Sequence, residues 1–140
     1  MAAERTHKTT VLIVDDEPFF RKLLSDLFGK KQCRVVTAAT GEEAVKEAGR
    51  LRPDIIILDF HMPGLDGIAT CKILKANQAT GRIPVIILTA EESSELNQMA
   101  FDAGAQATVL KSMSQDKLMN IVDVFIPTRT SSGPSRLPNT

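Results

Sequence analysis

Tryptophan and tyrosine are absent from this sequence, and its six phenylalanines are the only aromatic residues. The stacking platforms on which proteins hold unpaired bases are therefore poorly supplied. An excess of charge is missing too. Seventeen basic and 17 acidic side chains give a formal net charge of zero, which lacks the electrostatic footprint of a nucleic-acid binder. Cysteine is scarce: Cys33 and Cys71 are too few and too far apart to form a disulfide framework. They read as small buried thiols of a reducing compartment. No apolar run approaches the ~20 residues that cross a bilayer. Residues Met1 to Thr10 are polar and carry no apolar signal-peptide core. A cytoplasmic location is expected, with no membrane or nucleic-acid partner.

What the sequence does contain suits one globular domain. Its 140 residues are 43% hydrophobic and 24% charged, enough to bury a core. The expected organisation is a flexible leader over 1–8, a folded domain over 9–126 and a tail or linker over 127–140. That last stretch, PTRTSSGPSRLPNT, has too few large apolar groups to offset the entropy of ordering.

Between the ends, apolar runs alternate with helical patterns. VLIV at 11–14, IIIL at 55–58 and VIIL at 85–88 are short, β-branched and apolar at every position. Such runs suit parallel strands buried on both faces. RVVTA at 34–38 and ATVL at 107–110 are weaker candidates. Phe19, Leu23, Leu24, Leu27 and Phe28 recur at helical spacing after Pro18, with Gly29 expected to end that helix. Thr40 and Glu43 have capping-box spacing for a second helix. Asp66 is expected to cap a third helix. Ser93 or Ser94 opens a fourth, with Leu96, Met99 and Ala100 inward. Ser114 opens a fifth, with Leu118, Ile121, Val122 and Phe125 on one face. Five strands alternating with five helices predict an α/β fold with helices on both sides of a parallel sheet.

The residues that follow the apolar runs carry the chemistry. Asp15 and Asp16 follow the first strand, Asp59 the third, Thr89 the fourth and Lys111 the fifth. Singly, each reads as a turn former, a cap or a solvated side chain. Together they are expected to converge, because the carboxyl ends of parallel strands share one edge and ligands bind there. Two like charges ~4 Å apart repel by about 4 kcal/mol at an effective dielectric near 20. Three carboxylates in one cleft therefore call for compensation by Lys111 and a hard divalent cation such as Mg²⁺. Such a site suits a carboxylate nucleophile attacking phosphorus, with Thr89 and Lys111 stabilising the transferring group.

These residues, with Asp59-Phe60-His61-Met62-Pro63-Gly64-Leu65-Asp66-Gly67 matching D-x-x-M-P-x-x-D-G, closely resemble the response-regulator receiver family of two-component signalling. The resemblance covers about residues 9 to 126. It implies a flavodoxin-like, doubly wound, five-stranded parallel sheet of order 2-1-3-4-5 with five helices. It implies that Asp59 accepts a phosphoryl group from a phosphohistidine on a histidine kinase or phosphotransfer protein, although some family members also use small phosphodonors. Asp16 would be the principal side-chain Mg²⁺ ligand beside Asp59, Asp15 would act mainly through water, and the backbone carbonyl of His61 would be a further ligand. Thr89 and Lys111 would contact the phosphoryl group. An unknown downstream protein would read the change of shape, and the only catalysis would be of the domain's own phosphorylation and dephosphorylation. The side chains of His61 and Glu91 occupy positions that tune dephosphorylation in the family.

Two positions depart from the family pattern. Ser112 follows Lys111 where the family usually has Pro, so a trans Lys111–Ser112 bond is expected. Thr108 stands where the family usually has a ring that moves with the Thr, so an atypical output coupling is expected. Two alternatives stay open at this point. One is a degenerate receiver that only binds proteins. The other is an aspartyl-phosphate phosphatase of the haloacid-dehalogenase type, which the adjacent Asp15-Asp16 fits poorly.

Overall fold

The computed structural model describes residues 8–126. The expected tail at 127–140, and all of the expected leader but its last residue, lie outside the described residues. The strong apolar runs form β1 (Thr10–Val14), β3 (Ile55–Asp59) and β4 (Val85–Thr89). The weaker candidates form β2 (Arg34–Ala38) and β5 (Ala107–Leu110). All neighbouring pairs are parallel, in the order β2-β1-β3-β4-β5. The central strands β3 and β4 are buried at every position. Asp59 and Thr89 are the last residues of their strands rather than the first loop residues after them.

Five helices connect the strands: α1 (Pro18–Lys30), α2 (Gly41–Leu51), α3 (Gly67–Ala76), α4 (Ser94–Asp102) and α5 (Gln115–Phe125). Alternate strand side chains point to opposite faces, so the sheet carries two cores. Leu12, Val14, Ile56, Leu58, Val85 and Ile87 meet Ala44, Ala48, Leu74 and Ala100 of α2, α3 and α4. Val11, Ile13, Ile55, Ile57, Ile86 and Leu88 meet Leu24, Phe28, Leu118 and Val122 of α1 and α5.

The expected caps are in place. Thr40, Asp66, Ser93 and Ser114 each accept a backbone N–H three residues on, so Ser93 rather than Ser94 caps α4. Glu43 accepts from the N–H of Ala39 at 2.8 Å, one residue before the cap it was expected to satisfy. Three local expectations need correction. The first helix passes Gly29 and ends at Lys30. Phe19 is 76% exposed, because α1 turns Phe20, Leu24, Leu27 and Phe28 inward, one residue out of phase with it. Met99 is likewise exposed, with only Leu96 and Ala100 of α4 buried.

Candidate functional site

The sheet order determines which side chains can meet. The chain steps from β1 to β2 on one side and then crosses back to β3 on the other, so the carboxyl ends of β1 and β3 lie side by side, with Val14 registered to Leu58. Asp15 continues β1 and Asp59 ends β3, which makes them neighbours at the switch point where open α/β sheets bind ligands. Carboxylate oxygens of Asp15, Asp16 and Asp59 all lie within 4.8 Å of one another. Lys111, at the end of β5, reaches over β4 to join them. Its Nζ is 3.0 Å from Asp15 Oδ2 and 3.0 Å from Asp59 Oδ1.

Asp16, Glu17, Asp59, His61, Ala90 and Lys111 line an open cleft of about 270 Å³. Asp59 is buried except where it borders this cleft, Asp15 is buried, and Asp16 is exposed. Asp15 is held from several sides. Its N–H donates to Ala38, its carbonyl accepts from Arg21 Nη1 at 2.8 Å, and its Oδ1 accepts from the Glu17 N–H at 2.9 Å. The remaining oxygen, Oδ2, receives no well-aligned hydrogen bond and lies 3.0 Å from the Lys111 ammonium. A buried carboxylate oxygen left in this way, beside two more carboxylates, is a hard all-oxygen donor set that fits a divalent cation. The His61 ring nitrogens are not part of that set. The ring packs edge-on against Phe60, with centroids 4.5 Å apart.

Thr89 ends β4, next to Ala90 of the cleft lining, and its hydroxyl is engaged with Glu91, donating to the carbonyl at 3.1 Å and accepting from the N–H at 3.3 Å. The Lys111–Ser112 bond is trans, as no cis peptide bond occurs among the described residues. At the family's ring position, Thr108 donates its hydroxyl to Asn97 Oδ1 of α4 at 2.7 Å. The sequence reading missed Glu17, 4.0 Å from Lys111, and Phe20, whose ring lies under the same ammonium. A third acidic residue after Asp15-Asp16 was the available signal for Glu17. Phe20 had none, since its role follows only from how α1 packs.

Electrostatics at Asp59 are poised. Burial is the largest influence and pushes its carboxyl up, the hydrogen bond from Lys111 opposes this, and the charges of Asp15 and Asp16 add to it. The result is a rise from 3.8 to about 6. Burial alone would lower the Lys111 ammonium, but its close contacts with Asp15 and Asp59 and their charges outweigh burial and raise it.

A raised carboxyl means that the folded state holds its proton to higher pH than the unfolded chain does. Asp59 therefore favours folding below its unfolded value, and that contribution is lost as pH rises toward about 6. Asp59→Asn is expected to be more stable than the parent at pH 7.5 without divalent ions. The advantage should be on the order of 2–3 kcal/mol and should shrink toward pH 5. Urea unfolding of both proteins across that range is the check, and a gap that does not change with pH would contradict it.

Comparison with known proteins is decisive at this point. Residues 11–123 match the family model described as the response regulator receiver domain. This chain is a response-regulator receiver domain. It is 32% identical over 121 residues to sporulation initiation phosphotransferase F of Bacillus subtilis, covering 86% of this chain and 96% of that protein. It is 30% identical over 120 residues to protein PilG of Pseudomonas aeruginosa, covering 86% of this chain and 89% of that protein. The chain spans about half the length or less of other relatives, such as 45% of the transcriptional regulatory protein ResD of B. subtilis. Among solved structures, chemotaxis protein CheY4 of Vibrio cholerae superposes with a TM-score of 0.82 at 29% identity, covering 86% of this chain and all of that one. The receiver domain of sensor histidine kinase PA1611 from P. aeruginosa gives 0.80 at 27% identity, covering 87% and 100%. That structure holds a magnesium ion in its active site cleft. In the receiver domain described here, no helix among the described residues is long and apolar enough to cross a membrane.

Proposed function

We propose that this receiver domain takes a phosphoryl group onto Asp59 from a phosphohistidine of a kinase or phosphotransfer protein and thereby switches a protein partner in the cytoplasm. The observation that carries this reading is the placing of one strand-end carboxylate, with its Oδ1 3.0 Å from a lysine, beside two further carboxylates in an open cleft. An Asp59 oxygen attacks phosphorus and an acyl–phosphate bond forms. The bond from phosphorus to the imidazole nitrogen breaks, its electron pair stays on nitrogen, and that nitrogen takes a proton from solvent.

Lys111 neutralises charge beside the incoming group, and its pairing with Asp15 and Asp59 already holds it at the required place. Thr89 becomes a donor to the phosphoryl group once its hydroxyl leaves Glu91. Asp16, Asp59 and the His61 carbonyl would hold Mg²⁺. Asp15, whose Oδ1 accepts from the Glu17 N–H, would reach it from Oδ2 through water. When bound, the ion supplies positive charge that offsets repulsion between carboxylates and phosphate. Output coupling is atypical in this reading, because Thr108, bonded to Asn97 of α4, offers no ring to move.

The test is incubation with Mg²⁺ and a small acyl phosphate, followed by intact-mass measurement and peptide mapping. One phosphoryl group on the Asp59 peptide is expected, blocked by a chelator. A label on any other residue would count against the assignment. Binding of the ion has its own signature. Mg²⁺ at about ten times its Kd should stabilise the protein by about 1.4 kcal/mol, or roughly 5 °C in thermal midpoint. Asp16→Asn should lose that rise. An equal rise in the variant would remove Asp16 from the ligand set.

A further inference from the structure

Lys111 has a mechanical problem. It stands at the end of β5, and β4 separates that strand from β3. Strands lie about 4.8 Å apart, so the backbones of β5 and β3 stand roughly 10 Å apart and the lysine must extend across β4 to meet Asp59. The side chain has four rotatable bonds, and Ser112 follows it in place of a ring-constrained residue. Two carboxylates hold its tip, but a phosphoryl group on Asp59 changes that arrangement. Asp15 remains as one partner, and a second hold that does not depend on the state of Asp59 would fix the ammonium over the cleft.

Helix α1 supplies it. Phe20, in the first turn of α1, is half-buried against the core shared by α1 and α5. Its ring centroid lies 4.5 Å from Lys111 Nζ, well within the ~6 Å over which a ring face attracts a cation. A ring face is suited to this place. Another carboxylate would hold the lysine but would add repulsion against the phosphoryl group, whereas a ring attracts the ammonium without adding formal charge. It also shields the apolar stem from water.

We propose that Phe20 is a positioning residue for phosphoryl transfer, holding the Lys111 ammonium over the cleft through its ring face. This rests on the reading of Asp59 as the phosphoacceptor. The role belongs to the ring rather than to bulk, so Phe20→Met should lose it and Phe20→Tyr should keep it.

The experiment uses the full chain with acetyl phosphate and Mg²⁺, so that docking of a phosphohistidine protein does not enter the readout. Proton NMR of the Lys111 ε-methylene in the unphosphorylated parent should show an upfield ring-current shift, retained in Phe20→Tyr and lost in Phe20→Met. The transfer rate at saturating acetyl phosphate should fall about five-fold in Phe20→Met, the scale of a partly desolvated cation–ring contact, and should be retained in Phe20→Tyr. An unshifted ε-methylene in the parent, which needs no variant to fold, would overturn the inference. So would a parent-like rate in Phe20→Met. Absence of labelling in the parent itself would overturn the phosphoacceptor reading, and the role of Phe20 with it.

Discussion

Asp59→Asn is expected to remain folded and to lose phosphoryl transfer altogether, with the rate falling on the order of 10⁴-fold or more, the scale on which removal of a nucleophile acts. The amide has nearly the shape of the carboxylate but neither of its charged oxygens, and a neutral amide oxygen does not attack phosphorus at a useful rate. The fold should survive because Lys111 keeps its partner in Asp15, 3.0 Å away. Removing the Asp59 charge also relieves the repulsion and desolvation that push that carboxyl up to about 6. The variant should therefore combine full loss of labelling with undiminished stability at neutral pH, a pairing that a merely unfolded protein cannot imitate. The checks are intact mass after incubation with acetyl phosphate and Mg²⁺, alongside thermal unfolding. Retained labelling in a folded Asp59→Asn protein would move the acceptor elsewhere.

Gly67→Ala is expected to destabilise the domain by about 2–4 kcal/mol and to slow transfer through Asp59 even where the protein still folds. Gly67 opens α3 directly beneath the end of β3, and its N–H donates to the Phe60 carbonyl at 2.9 Å. A methyl group there would collide with the Asp59 carbonyl oxygen and would lie 2.8 Å from the Phe60 Cα. Both are backbone atoms, which cannot swing aside as the end of a flexible side chain would. Relief requires moving α3 or the strand end that presents the Asp59 carboxylate. Gly49 is the internal control. It lies within α2 with nothing near its Cβ position, so Gly49→Ala should stabilise by about 0.5–1 kcal/mol. Equilibrium denaturation of the two variants reads the contrast. Equal stability of Gly67→Ala and the parent would show that the helix start is not tied to the strand end.

The elements were legible because their signals are local. A run such as IIIL can be satisfied only where both faces of a strand are covered. A cap such as Asp66 acts within three residues of itself, on the Ala69 N–H. Helix phase was less legible. Both Phe19 and Phe20 are apolar, and only the direction in which α1 lies on the sheet leaves the first exposed and turns the second inward. Met99 was misplaced for the same reason, since a pattern of apolar residues does not say how far a core extends around a helix.

By itself, the order of residues determined that Asp15, Asp16, Asp59, Thr89 and Lys111 stand at the ends of parallel strands, because strand ends are set by local pattern and parallel strands share one edge. Which of them touch was decided only by the folded chain. The strand order sets Asp15 beside Asp59 and makes Lys111 cross β4 to reach them. The packing of α1 sets a phenylalanine under the ammonium, and the loop after β4 turns the Thr89 hydroxyl onto Glu91. Apart from Thr89 with Glu91, these contacts join residues from 44 to 96 positions apart in the chain, and no local pattern of polarity encodes a distance between side chains that only the folded sheet brings together.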